Sequence, residues 1–209
     1  MSTASHAFTI NGIGPMLMHC GQTADPLNQF ARAMKAQSSK RNKTDDDLAA
    51  LSLLEWWAGL YTDKPLKVDP DGGAVTAPEG VGLILPAHVL DSAIREGARK
   101  IKAGKLISAG VIVEGPAKFK AAGVKSLVAA SRDETFHFRC AVKVGTSKVM
   151  RTRPIFNEWS ATFSICMDSE VVDLPTVKQS LEAAGRLVGV GDWRPGAPKG
   201  GSYGRFVLG

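Results

Sequence analysis

Three features of the 209-residue chain predict an α+β fold. Strand-like stretches stand near both ends, the segments 44–61 and 86–101 place apolar residues at helical spacing, and the stretch 136–165 returns to a period of two before one more amphipathic helix. The length suffices for a core of its own, and the expectation is a single domain, 1–209, with elaborations.

Ala7 to Asn11 reads as a short strand, and GIGPMLMHCGQTADP then interrupts any regular element with Gly and Pro. Pro26 to Lys35 suits a short helix. In KRNKTDDDLAALSLLEWWAGLY, Thr44 can cap a helix whose first turn carries Asp45, Asp46 and Asp47, where the backbone amides leave partial positive charge. Leu48, Leu51, Leu54 and Trp57 follow at helical spacing, and Lys40, Arg41 and Lys43 precede the helix on a connector. These helices form an insertion over about 24–61. Residues 62–82 have the Pro, Gly and Asp density of an irregular loop or hairpin and read as a mobile insertion. Pro86 opens a helix that buries Leu90, Ile94 and Ile101, with Arg95, Arg99, Lys100, Lys102 and Lys105 on its remaining surface and end. Cations at that end also suit a helix C-terminus.

The second half reads as strands. Phe136, Phe138, Cys140, Val142 and Val144 alternate with His137, Arg139, Ala141 and Lys143, which predicts one buried face and one basic exposed face. Trp159, Ala161, Phe163 and Ile165 repeat the pattern. Leu174 to Val188 is a helix with Val177, Leu181, Ala184 and Val188 on one stripe, and a glycine-rich loop leads to a last strand at Tyr203 to Leu208. This order is what a ferredoxin-like (RRM-like) βαββαβ core gives when its first crossover is enlarged by a helical insertion, and other α+β sandwiches fit it too. RNA-recognition folds of the first kind use the free sheet face, where aromatic side chains stack bases.

Formal net charge is +6 with a pI of about 9.3, which favours an anionic partner. Its distribution is more specific. From Thr135 to Asn157 the chain has Arg139, Lys143, Lys148, Arg151 and Arg153 and no Asp or Glu, a footprint for phosphate, with a solvated face as the bland alternative. In RTRPIF, Arg151 and Arg153 point to one side of an extended strand that ends, or runs along an edge, at Pro154. The two can contact phosphates, or one can pair with a carboxylate such as Glu158.

The terminal stretch RLVGVGDWRPGAPKGGSYGRF is the most informative. Its six glycines permit unusual backbone geometry, while Arg186, Trp193, Arg194, Lys199, Tyr203 and Arg205 combine stacking surface with positive charge, the pairing that a single strand favours. The alternative is that the glycines turn the chain and the aromatics seal the core. Asp192 can accept hydrogen bonds from loop amides or pair with a nearby arginine, and in a catalytic reading it could bind a metal.

Enzyme motifs are scarce. GVGDWR has Arg194 where a third dinucleotide-binding glycine would fall and follows a helix rather than opening one, and no Walker A sequence is present. His6, His19, His88 and His137 lack a second ligand at metal-binding spacing. His19 beside Cys20 suggests a nucleophile and base, but neighbours in an extended segment face opposite ways, so a packed cysteine is the expectation. Cys20, Cys140 and Cys166 form no CxxC pair and suit a reducing compartment. No apolar run reaches membrane-spanning length and the first residues lack a secretion signal, so the expected location is the cytoplasm.

The combination of LMHCGQTADPLNQFARAMKA, KRNKTDDD leading to LEWWAGLY, RTRPIFNEW, and AGRLVGVGDWRP through YGRF resembles an uncharacterised family of phage and prophage proteins. More remotely, a ferredoxin-like core ending in a helix and a glycine-rich loop is similar to the RNA-binding backbone subunits of CRISPR effector complexes. The resemblance implies a nucleic-acid partner and host-cell cytoplasm. It supplies no counterpart of a nuclease histidine. The expectation is therefore a non-catalytic, cofactor-free protein that binds single-stranded DNA or RNA with little sequence preference and self-associates. The alternatives are a phage structural or host-takeover factor, whose Trp56, Trp57, Trp193 and basic surface meet an acidic protein, and a metal-dependent nuclease.

Overall fold

A computed structural model describes residues 3–69 and 73–209. In chain order the elements are β1 (Thr3–Gly12), β2 (Met16–Leu17), α1 (Gln29–Ser38), α2 (Asp45–Ala58), β3 (Lys67–Val68), β4 (Val75–Thr76), β5 (Leu83–Leu85), α3 (Ala87–Lys100), α4 (Gly104–Gly110), β6 (Val111–Val113), β7 (Ala117–Ala121), α5 (Leu127–Ala130), β8 (His137–Val144), β9 (Ser147–Phe156), β10 (Trp159–Asp168), α6 (Leu174–Leu187) and β11 (Phe206–Leu208). The protein is α+β, and its strands pair antiparallel. Among the described residues no helix is long and apolar enough to cross a membrane. Two compact units are present, one from Met1–Leu17, Leu83–Ala122 and Phe156–Gly209, the other from Met18–Gly82 and Gly123–Ile155.

In the first unit the strands run β11-β1-β10-β7-β5, with β6 also on β10. The alternation expected for β10 is present: Trp159, Ala161, Phe163, Ile165 and Met167 are buried, and the register sets Phe163 opposite Phe8 and Ala161 opposite Ile10 and Phe119. Fully burying each of the large side chains contributes about 1.5–3 kcal/mol, so one slipped register would expose the whole set. Asp173 caps α6 by accepting from the Thr176 N–H at 2.9 Å, and Pro175 sits in its first turn. Helices α3 and α6 pack closely because Gly97 has no side chain: a Cβ there would lie 2.5 Å from the Ala184 nitrogen. Leu90 and Ile94 are buried as expected, whereas Ile101 caps α3 and is half-buried.

The other sheet face departs from the expectation drawn from RNA-recognition folds. It presents Thr3, Ser5, Ala7, Thr9 and Asn11 of β1, Ser160, Thr162 and Ser164 of β10, and Lys118 and Lys120 of β7. No aromatic side chain lies on it among these strands, because the alternation that buries Phe8, Phe119, Trp159 and Phe163 assigns every aromatic to the core side.

In the second unit, α2 starts as predicted. Thr44 and Asp47 form a capping box, and Lys40 reaches the Asp47 Oδ1 at 2.5 Å. Along its expected stripe Leu54 and Trp57 are buried, Leu51 is half-buried and Leu48 is exposed. Trp56 is fully buried as well: its Nε1 donates to the Phe136 carbonyl at 2.8 Å, and its ring stacks on His137 with centroids 5.5 Å apart. Trp57 meets Trp56 edge-on. A protein-interaction surface built on Trp56 and Trp57 is thereby corrected, since both rings are spent in the core. Of the expected 62–82 loop, β3 and β4 pair as a short hairpin, and residues 70–72 lie outside the described residues.

Candidate nucleic-acid interface

The acid-free basic stretch forms the antiparallel hairpin β8–β9, registered from His137 opposite Pro154 to Val144 opposite Ser147. Residues directly opposite share a face, so Lys143 faces Lys148, with Arg139 on the same side nearer the base. All three are exposed, and among the described residues none makes an ion pair. Like charges set directly opposite are destabilising unless something neutralises them.

The register corrects the expected split into an apolar buried face and a basic exposed one. Arg151 lies opposite Cys140 and Arg153 opposite Phe138, so the two arginines share the face of the β8 apolar set. Phe138, Cys140 and Val142 are consequently half-buried, and the Val144 side chain lies outside the described residues. The strand also continues past Pro154 to Phe156, its Pro154 carbonyl accepting the Met18 N–H at 3.0 Å.

Arg151 meets a carboxylate, and it is Glu55 rather than the suggested Glu158. Its Nη1 lies 2.5 Å from Glu55 Oε1, while Glu55 Oε2 accepts the Thr152 N–H at 2.7 Å and the Thr152 hydroxyl bonds Ser52 at 2.6 Å. Sequence reasoning did not single out Glu55, although an acid in the apolar run LLEWWA is a signal: a buried carboxylate needs a partner. The same face of β9 lines a cavity of about 280 Å³ with His19, Cys20, Thr23, Met34, Arg151 and Arg153 among its walls. His19 and Cys20 are both among the residues that line this cavity, and Cys20 is half-buried. Burial pushes the Cys20 thiol up, which keeps it protonated rather than nucleophilic at neutral pH.

The terminal loop is held by its backbone. The Val190 N–H donates to the Gly204 carbonyl at 2.9 Å, Gly204 to Pro15 at 2.8 Å, Asp192 to Leu17 at 2.8 Å and Gly196 to Val188 at 2.8 Å. Gly204 takes φ 66°, and its Cβ position is occupied by the Val190 carbonyl, so the last strand begins only at Phe206 and not at Tyr203. Asp192 Oδ1 accepts the Trp193 N–H at 3.0 Å, in line with a loop-shaping role. Trp193 itself has φ 49° and is 36% exposed, with its ring 6.3 Å from that of Tyr203. A bulky residue held in the left-handed region is uncommon and costs about 1–3 kcal/mol, compensated here by the surrounding backbone bonds. Arg194 is half-buried and its Nη1 donates to the Gly191 carbonyl at 3.3 Å, whereas Arg186, Lys199 and Arg205 are exposed.

The candidate residues thus form two sets. Arg139, Lys143, Lys148, Arg151 and Arg153 gather on the hairpin of the second unit; Trp193, Arg194, Lys199, Tyr203 and Arg205 occupy the terminal loop of the first, with Arg186 on the last turn of α6. Among the described residues no three of His, Cys, Asp and Glu gather in a way that could hold a metal ion. No protein-family model matches the chain, and no curated protein matches it.

Proposed function

We propose that the protein binds single-stranded nucleic acid without cutting it and with little sequence preference, serving phage nucleic-acid metabolism or a CRISPR-related function in the host-cell cytoplasm. The observation that carries the reading is Lys143 set directly opposite Lys148 on a hairpin with no acid from Thr135 to Asn157. A phosphate placed between such ammonium groups removes their repulsion and gains charge-assisted hydrogen bonds. Trp193, exposed beside Tyr203, supplies a stacking surface that any base can use. The competing protein-interaction reading has lost two of its three tryptophans to the core.

The fold reading that accompanies this is a ferredoxin-like core. It is supported by β1, α3, β7, β10, α6 and β11 following one another along the chain while their strands lie in the order β11-β1-β10-β7. Self-association is part of the reading. Among the described residues β11 covers β1 only from Ile10 to Gly12, and the Thr9 carbonyl takes the Gly209 N–H, so by strand alternation Thr3, Ser5 and Ala7 turn their backbone groups to an edge that no described strand covers. Thr3 to Gly12 has no Lys, Arg, Asp or Glu and no proline to protect that edge, which suits pairing with β1 of a second copy.

The test is titration of folded protein with single-stranded DNA and RNA oligonucleotides at several salt concentrations. Neutralising on the order of five phosphates gives a logarithmic salt slope of roughly −3 to −4. Absence of binding at low salt overturns the reading in favour of an acidic protein partner.

A further inference from the structure

We propose that the corner where α3 meets α4 binds backbone phosphates of a nucleic-acid strand, with Arg99, Lys102 and Lys105 as the contacts. The inference rests on the nucleic-acid reading for its partner and adds a contact surface in the first unit, whereas the basic hairpin belongs to the second. From Gly97 to Val113 the chain carries Arg99, Lys100, Lys102 and Lys105 and no Asp or Glu. Arg99, Lys102 and Lys105, with Gly104 and Ser108, line an open concavity of about 440 Å³. All three cations are exposed, and among the described residues none of them makes an ion pair or a side-chain hydrogen bond. Arg95 differs. Its Nε donates to the Asp91 Oδ2 at 2.6 Å and its Nη1 to the Ser108 carbonyl at 3.3 Å, so it ties α3 to α4 and leaves the uncompensated charge of the corner to the other three.

The needs of the fold account for only part of this charge. Arg99, in the last turn of α3, suits the negative end of that helix, but Lys105 lies in the first turn of α4, where a cation meets partial charge of its own sign. Lys102 is held at φ 63° just past the end of α3: its N–H donates to the Arg99 carbonyl at 3.3 Å and the Ala103 N–H to the Ala98 carbonyl at 2.9 Å, a closing pattern in which glycine is usual. A lysine there carries backbone strain that glycine would avoid, and its ammonium has no partner among the described residues to offset it. The Arg99 stem lies over Gly104, where a Cβ would come within 2.8 Å of the Arg99 Cγ, and buried Ile107 anchors α4 one turn further on. The lining offers cations and one hydroxyl but no aromatic wall, so a base gains nothing there, whereas successive phosphates need only the charge.

The test titrates the intact protein, at several salt concentrations, with a single-stranded oligonucleotide and with a peptide nucleic acid of the same sequence, which has no phosphates. A variant combining Arg99→Gln, Lys102→Gly and Lys105→Gln is expected to flatten the logarithmic salt slope by about 2, at roughly 0.7 per contact, and to weaken oligonucleotide binding about tenfold or more at low salt. Lys102→Gly alone is expected to weaken binding while its thermal midpoint stays level or rises, because glycine suits the left-handed position, and Lys102→Arg is expected to keep the wild-type slope. Should the combined variant fail to fold, these two single variants decide. A folded combined variant with the wild-type slope and affinity overturns the corner, as does Lys102→Gly with a lowered midpoint and an unaltered slope, or equal binding of the peptide nucleic acid and the oligonucleotide by wild type. Oligonucleotide binding by wild type that the corner variants leave unaltered but Lys143→Gln with Lys148→Gln weakens removes the corner and leaves the strand-binding reading standing. No binding of the oligonucleotide by folded wild type at low salt overturns both, so the two failures are distinct.

Discussion

Glu55 holds two successive residues of β9 at once, the Arg151 guanidinium at 2.5 Å through Oε1 and the Thr152 backbone N–H at 2.7 Å through Oε2. The Glu55 side chain is 7% exposed and that of Arg151 39%, so the carboxylate bears the desolvation while the guanidinium stays partly wet. The first prediction follows from that asymmetry. Glu55→Ala removes both bonds and strands the Thr152 N–H, and urea denaturation should show a loss of about 2–3 kcal/mol. Arg151→Ala should cost less, because the exposed partner loses a screened contact. Equal losses in the two variants would refute the asymmetry.

Acid stability depends on Asp47. The hydrogen bond from Lys40, together with the Thr44 amide, lowers its carboxyl from 3.8 to about 2. A depressed folded-state value stabilises the fold above the unfolded value and is lost as pH falls through the folded one. The thermal midpoint should therefore fall between about pH 4 and pH 2, and Asp47→Asn should flatten that part of the profile. Asp133 and Asp173, each lowered first by a Thr hydroxyl, contribute in the same direction. A wild-type midpoint that stays level across this window contradicts the prediction.

Lys143 and Lys148 should act as phosphate contacts with no structural duty. Changing both to Gln is expected to reduce the logarithmic salt slope of oligonucleotide binding by about 1.4, at roughly 0.7 per contact on a single strand. Because the pair repels in the free protein, thermal stability should stay level or rise slightly. A drop in stability with the slope unaltered would assign the lysines to the fold.

Trp193→Ala should weaken oligonucleotide binding by about 1–3 kcal/mol, the range for loss of a base-stacking side chain. At 36% exposure Trp193 is no core anchor, so stability should change by far less than the about 3–5 kcal/mol of a buried tryptophan. Fluorescence of a variant retaining only Trp193 should respond to added oligonucleotide. An emission indifferent to saturating strand counts against contact.

Self-pairing along β1 predicts that Ser5→Pro, which removes an outward N–H from the edge that no described strand covers, shifts the mass measured by light scattering from dimer or larger to monomer while leaving the circular-dichroism spectrum intact. A wild-type protein that is monomeric at high micromolar concentration excludes the β1 contact.

Local signals made much of this fold legible. Thr44 followed by three aspartates announces a helix start, because cap and dipole act within one turn, and α2 begins at Asp45. The period-two pattern from Trp159 and the stripe Val177, Leu181, Ala184, Val188 each stated which face would be buried, and those faces are buried. The basic character of 135–157 and the turn-rich terminal loop are likewise properties of composition that need no partner. What tertiary structure alone decided is pairing. Arg151 and Arg153 share a face with Phe138 and Cys140 because of the β8–β9 register, and a register is set by what each face packs against, far away in sequence. Glu55 finds Arg151 across 96 residues, and His19 and Cys20, expected to point apart, line one cavity with it. The alternation of β1, β7 and β10 predicts two faces but not which is covered; packing directed the aromatics inward and left hydroxyls and lysines outside. Burial energy depends on which surfaces meet, and that is a property of the assembled chain rather than of any segment of it.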